Sequence, residues 1–179
     1  MVEILRLIGS YRARRAVRAL PFLDQLFRRL ARCARVEATE TEDRIWDVWM
    51  HHPHHGAAHA LELATRDVAA RRFDIAETRL TVLLRSVPDF AEAWHKRAVL
   101  YYLLGRDDEC LHDLRRTLEL EPRHFGAMLH FVEILRAARA ESEARFALGA
   151  ARSIHPHLSI HPDLSIPDSQ AQAGDSGQL

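Results

Sequence analysis

The chain has 179 residues, 47% of them hydrophobic, and its 25 basic and 25 acidic side chains cancel to zero formal charge. That length and apolar content suffice for one domain with a real core, and the charge balance excludes a general polyanion binder. Cys33 and Cys110 lie far apart with no partner at ligand spacing, which excludes a disulfide framework and a cysteine metal knuckle.

Charge is unevenly placed. Residues 1–36 carry nine arginines against Glu3 and Asp24. Lys96 is the only lysine in the chain, so the clustering is informative and the preference for arginine is not. Within a leader spanning 1–40, Leu23, Leu26, Phe27 and Leu30 share one face while Arg28, Arg29, Arg32 and Arg35 are mostly kept off it, which predicts an amphipathic basic helix over 22–36. Three roles fit: packing on the rest of the chain, lying on an anionic membrane surface, or serving as a nucleic-acid arm, the last weakened by thin aromatic interleaving. Arg12, Arg14, Arg15 and Arg18 interrupt the apolar run that a secretory signal needs. No stretch approaches the roughly 18 consecutive apolar residues of a membrane span. The expected location is the cytoplasm, or the membrane periphery if the leader binds lipid.

Residues 41–56 follow. Thr41 or Glu42 can start a helix carrying Ile45, Trp46, Trp49 and Met50, expected to cap the open face of the unit after it, with a partner-docking surface as the alternative. His51, His52, His54, His55 and His59 crowd the next stretch. His55 and His59 would share a helical face only if the helix began that early; Pro53 and Gly56 interrupt it, and no carboxylate or cysteine completes a tetrahedron. A loop of solvated histidines is expected, with no metal site.

From residue 57 the chain repeats itself. Pro88, Pro122 and Pro156 stand 34 residues apart and close the stretches 57–88, 91–122 and 125–156. Aligned on those prolines, the fourth places are Ala60, Trp94 and Met128, the eighth Ala64, Ala98 and Val132, the twentieth Ala76, Cys110 and Ala144, and the twenty-fourth Leu80, Leu114 and Leu148. Small residues recur where helices approach closely and large ones where a knob fills the space between them, so three helix pairs should stack into one core. In the second unit Asp89 can cap a helix whose early acid is Glu92, Gly105 ends it, and Asp107 and Asp108 favour the start of the next, which Pro122 stops.

With Trp94, Ala98, Tyr101, Gly105, Leu114 and Pro122 in step, the second unit resembles a tetratricopeptide repeat of the bacterial type. The outer units resemble it less: Asp67 and Leu135 replace the aromatic of the eleventh place, and Arg71 and Arg139 the turn glycine. The resemblance implies an all-α fold, a short α-solenoid of three helix-turn-helix repeats preceded by amino-terminal helices. It also implies a non-enzymatic adaptor or scaffold that binds a protein or peptide segment in the concave groove lined by the first helix of each repeat. Carried onto this chain, the groove residues are Leu61, Thr65, Glu92, His95, Val99, Tyr102, Leu129, Glu133 and Arg136. Of these His95, Tyr102 and Arg136 offer an imidazole, stacking area and a fixed cation. Val99 and Glu133 stand at ninth places where the carboxylate-clamp members have Asn. The alternative function is a membrane-surface component anchored by the leader.

No phosphate-cradling glycine loop, nucleophile elbow or HExxH motif is present, so neither catalysis nor a cofactor is expected, and paired acids such as Glu119 and Glu121 read as solvated helix surface. Residues 157–179, with SIHPHL and SIHPDL in tandem and then a run poor in apolar residues, are expected to be disordered. They offer no closing helix, leaving the end of the third repeat to the leader, another subunit or nothing.

Overall fold

The computed structural model describes residues 1–14, 16 and 20–158. Every regular element among them is helical: α1 (Val2–Gly9), a short 3-10 turn (Tyr11–Ala13), α2 (Pro21–Leu30), α3 (Arg35–Met50), α4 (Ala57–Ala69), α5 (Phe73–Ser86), α6 (Ala91–Leu103), α7 (Asp107–Leu120), α8 (Phe125–Ala137) and α9 (Glu141–Ile154). The pairs α4/α5, α6/α7 and α8/α9 are the three repeats. In each the second helix stops two residues before the proline, which cannot supply the next N–H.

Packing follows the small-and-large pattern. Ala64, Ala98 and Val132 are buried, as are Ala76, Cys110 and Ala144, where any larger side chain would push two helices apart. Leu80 and Leu114 fill the spaces between. Polar ties reinforce the stack. Arg97 reaches from α6 to the buried Asp113 of α7, Nε donating to Oδ2 at 2.6 Å and Nη2 to Oδ1 at 3.0 Å. Glu77 of the first repeat accepts from Arg106 at 2.9 Å and from the Tyr101 hydroxyl at 3.2 Å in the second. Asp67, in the aromatic eleventh place, is buried under Arg72 and Arg79.

The caps differ from expectation. Asp89 lies two residues before α6 and pairs with His52 at 3.3 Å instead of capping the helix. A side-chain cap forms at α8, where the His124 imidazole accepts from the Ala127 N–H at 3.1 Å.

The leader closes the far end of the array. Ile4 and Ile8 of α1 are buried in one cluster with Ala144, Ala147, Ala151 and Ile154 of α9. Arg14 donates to the carbonyls of Leu118 and Glu119 at 3.0 and 3.1 Å, a cation on the negative end of α7. The Tyr11 hydroxyl meets Ser153 Oγ at 2.7 Å, and Arg123 binds Asp24 at 2.7 Å while lying over the Phe27 ring. The basic helix is shorter than 22–36: its apolar face ends at Leu30, the chain turns through Ala31–Cys33, and Arg35 and Val36 begin α3. That helix thus starts ahead of Thr41, whose hydroxyl donates to the Glu37 carbonyl at 2.9 Å. At the other end His157 donates to the Cys33 carbonyl at 3.0 Å and Leu158 is buried; the rest of the expected disordered tail, 159–179, lies outside the described residues, as do Arg15 and Arg18.

One backbone feature marks all three repeats. Arg71, Gly105 and Arg139, each at the turn inside its helix pair, have φ of 57°, 68° and 56°. Only glycine adopts that region without strain, and another residue costs about 1–2 kcal/mol there. Arg71→Gly and Arg139→Gly are therefore each expected to raise stability by about 1 kcal/mol, read as a higher urea midpoint with unchanged slope.

Candidate functional site

The concave face divides in two at α3. This helix does not lie over the open end of the first repeat as expected of a cap. Met50 touches the first-repeat core, but Trp46 and Trp49 sit against the starts of α6 and α8. The apolar pattern identified the tryptophan face correctly; the surface it meets is chosen by shape. Gly126, the second residue of α8, supplies that shape: a Cβ there would fall 2.6 Å from Trp46 Cη2 and 3.3 Å from His95 Cε1. The Trp46 ring is packed among Trp49, His95 and Phe125 with Lys96 at 5.7 Å, so admitting a Cβ would require that cluster to shift. Gly126→Ala should therefore cost about 1–3 kcal/mol in chemical unfolding, a penalty for overpacking.

Below the tryptophans lies a buried polar network. Trp49 stacks on His124 with ring centroids 4.0 Å apart and planes 6° from parallel, and Trp46 lies over His95 at 6.0 Å and 25°. Glu92, fully enclosed, is the hub: it meets His124 Nε2 at 2.8 Å, His95 Nδ1 at 3.3 Å and Lys96 Nζ at 3.2 Å. His95 Nε2 meets His130 Nδ1 at 3.0 Å, and that nitrogen also lies 3.0 Å from the Gly126 carbonyl.

The partners fix every proton. His124 Nδ1 accepts from a backbone N–H, so its proton is on Nε2, facing Glu92. His130 Nδ1 must donate to a carbonyl, so His95 Nε2 accepts and the His95 proton is on Nδ1, also facing Glu92. Burial pushes His95 down to about 3 and His130 down to about 4 from 6.5, so both are neutral at pH 7. Burial alone would raise the Glu92 carboxyl, but the adjacent His95 and Lys96 and the imidazole donors hold it well below the usual carboxylate range. With His95 neutral, Lys96 carries the compensating charge.

Ligand atoms of Glu92, His95 and His124 lie within 4.8 Å of one another, a spacing compatible with a metal ion. The proton positions do not suit one, because both nitrogens that would have to coordinate carry hydrogens, and freeing His124 Nε2 would break the α8 cap. The residues fit a hydrogen-bonded weld. In the upstream histidine run, Gly56 at φ 77° starts α4 at Ala57, so His55 lies ahead of the helix and does not share a face with His59.

The network makes the fold acid-sensitive. His95 and His130 have folded-state pKa values below the unfolded value, so the unfolded chain takes up protons that the native state refuses. Their contribution is complete above about pH 6.5 and is lost as pH falls toward 3. Glu92, held low, acts in the same direction, losing its contribution as pH falls through its folded value. The Tm should fall steadily between pH 7 and 4, and a His95→Gln, His130→Gln double variant should show a shallower slope.

Of the residues assigned to the groove, Leu61, Glu92, His95 and Leu129 are thus buried, the middle two beneath α3. Thr65, Val99, Tyr102, Glu133 and Arg136 are half-buried and line the remainder, with Arg136 donating to Glu133 at 3.2 Å. The sequence pointed to Glu92 and His95 as ligand contacts; His124 and His130 were missed. A helical glycine at Gly126, beside an acid and histidines on the facing turn, was the available signal of close approach. The apolar stripe of α2 is not free, since Leu23, Leu26, Phe27 and Leu30 are all inside, leaving Arg28, Arg29 and Arg32 outside and Phe22 half exposed. Among the described residues no helix is long and apolar enough to cross a membrane.

A family model described as Tetratricopeptide repeat matches residues 91–124, the α6/α7 pair and the turn into α8. A TPR repeat-containing protein of Rhizobium etli is 32% identical over 75 residues, an alignment covering 42% of this chain and 37% of that protein. The chain therefore spans well under half the length of the curated relative it matches. The matched repeat at 91–124, the 34-residue register and the three stacked helix pairs support a tetratricopeptide-type helical repeat array, and such repeats indicate a protein-interaction module.

Proposed function

We propose that the chain is a non-enzymatic adaptor that holds an extended or helical segment of another protein along the open half of its concave face, over Thr65, Val99, Tyr102, Glu133 and Arg136. The carrying observation is the division of that face. The half under α3 is closed by stacked rings, while the other half keeps an aromatic, an aliphatic and a mixed-charge pair within reach of solvent. Tyr102 and Arg136 are residue types that anchor protein interfaces. Burial of the α2 apolar face speaks against membrane anchoring by the leader, which would require that helix to unpack.

The test is a photo-crosslinking amino acid placed at position 102 and, as a control, at the exposed Arg85 on α5. Crosslinked protein partners recovered from position 102 alone support the reading. Identical products from both positions, or products lost only when α2 is altered, contradict it.

A further inference from the structure

The first repeat carries a cleft that the second repeat fills with its own side chain. At the fourth place stand Ala60, Trp94 and Met128. Trp94 lies across α7: its indole N–H donates to the Pro88 carbonyl at 2.9 Å, with His112 at 5.9 Å and the Arg116 guanidinium at 5.6 Å from its ring. Met128 fills the same place in the third repeat and is fully buried. Thirty-four residues before Pro88, His112 and Arg116 stand His54, Thr78 and Val82, and these three, with Ala60, line a cleft of about 680 Å³. The cleft sits where Trp94 sits one repeat later, with a methyl in place of the indole.

Its walls have changed to match. Where the second repeat has Glu109 and Arg116, the first has Ile75 and Val82, exposed at 49% and 56%. Loss of the internal side chain and gain of apolar walls both favour an apolar occupant from outside. His54 O, the counterpart of the Pro88 carbonyl, accepts from Ala57 N–H at 3.2 Å and keeps a second lone pair for an indole N–H. Asp74, an exposed acid also lining the cleft, calls for a cation beside the aromatic. The chain's own tryptophans are committed, Trp46 and Trp49 to the α3 seal and Trp94 to its repeat, so the indole must come from another protein.

We propose that the first repeat is a receptor for a tryptophan side chain of a partner protein, presented next to a lysine or arginine. This site lies outside the concave groove and does not depend on the groove reading. The experiment titrates the full chain with N-acetyl-Trp-Lys-amide and N-acetyl-Trp-Glu-amide, followed by amide NMR shifts.

The expected result is saturable shifts confined to 54–60 and 74–87, weaker for the glutamate peptide. Binding should be lost in Ala60→Trp, whose own indole fills the cleft and raises Tm, and weakened at least tenfold in Val82→Glu, which is exposed enough to fold normally. The proposal is overturned by absent or scattered shifts, by binding that survives Ala60→Trp, or by an Ala60→Trp chain less stable than the parent. Concentration-dependent self-association abolished by Ala60→Trp would assign the cleft to a second copy and overturn it too.

Discussion

Trp49→Ala is expected to lower the free energy of unfolding by about 3–5 kcal/mol, the range for deleting a large buried aromatic. Trp49 is 6% exposed and makes three ring contacts: it stacks on His124 at the start of α8, lies 5.0 Å from Phe125 of the same helix, and meets Phe27 of α2 at 6.0 Å. Removing it opens a cavity between the leader and the third repeat and strips the face from a buried imidazole. Its indole nitrogen is buried with no hydrogen-bond partner among the described residues, so its contribution is packing alone. Trp49→Phe should therefore cost much less than the alanine, and a urea titration of both variants distinguishes packing from polar anchoring. A similar loss for both would show that shape at this site is more exacting than the stacking geometry implies.

Glu92→Ala is expected to cost as much, about 3–5 kcal/mol, for a different reason. The enclosed carboxylate accepts from His95, His124 and the partly exposed Lys96, so its deletion strands two buried imidazole N–H groups without an acceptor and removes the ammonium's counter-charge. Glu92→Gln keeps the volume and one acceptor but adds two donors where donors already point, and should cost about 1–3 kcal/mol. Because the hub lies under α3, both variants should loosen that helix as well as destabilise the fold. Near-ultraviolet circular dichroism of Trp46 and Trp49 would report this, and an unchanged tryptophan signal in a destabilised Glu92→Ala chain would separate the network from the seal.

Local physics made the repeats legible. The prolines and the alternation of small and large residues fixed the helix pairs, because those positions are dictated by backbone geometry and close approach. Arg71 and Arg139 stood where the repeat wants glycine, and both do adopt the glycine conformation. The destination of α3 was not legible. Periodicity shows that Trp46 and Trp49 share an apolar face, but it carries no information about which distant surface fits that face. Here the fit depends on a missing Cβ at Gly126 and on four polar residues that look, one at a time, like ordinary groove residues or caps. The leader was ambiguous for the same reason: an apolar stripe with flanking arginines suits a membrane or a protein core equally, and only the matching surface on α3 decides. The first-repeat cleft was visible as Ala60 against Trp94, yet its meaning needed the seated indole for comparison.

Amide hydrogen exchange along residues 41–50 reveals whether α3 is a built-in occupant of one half of the concave face. If the tryptophan seal is part of the native core, these amides exchange as slowly as those at the starts of α6 and α8, through the same global unfolding, and Gly126→Ala accelerates all three segments together. Fast exchange of 41–50 beside a protected array would mean that the helix is only loosely laid on the groove and contradict a built-in occupant.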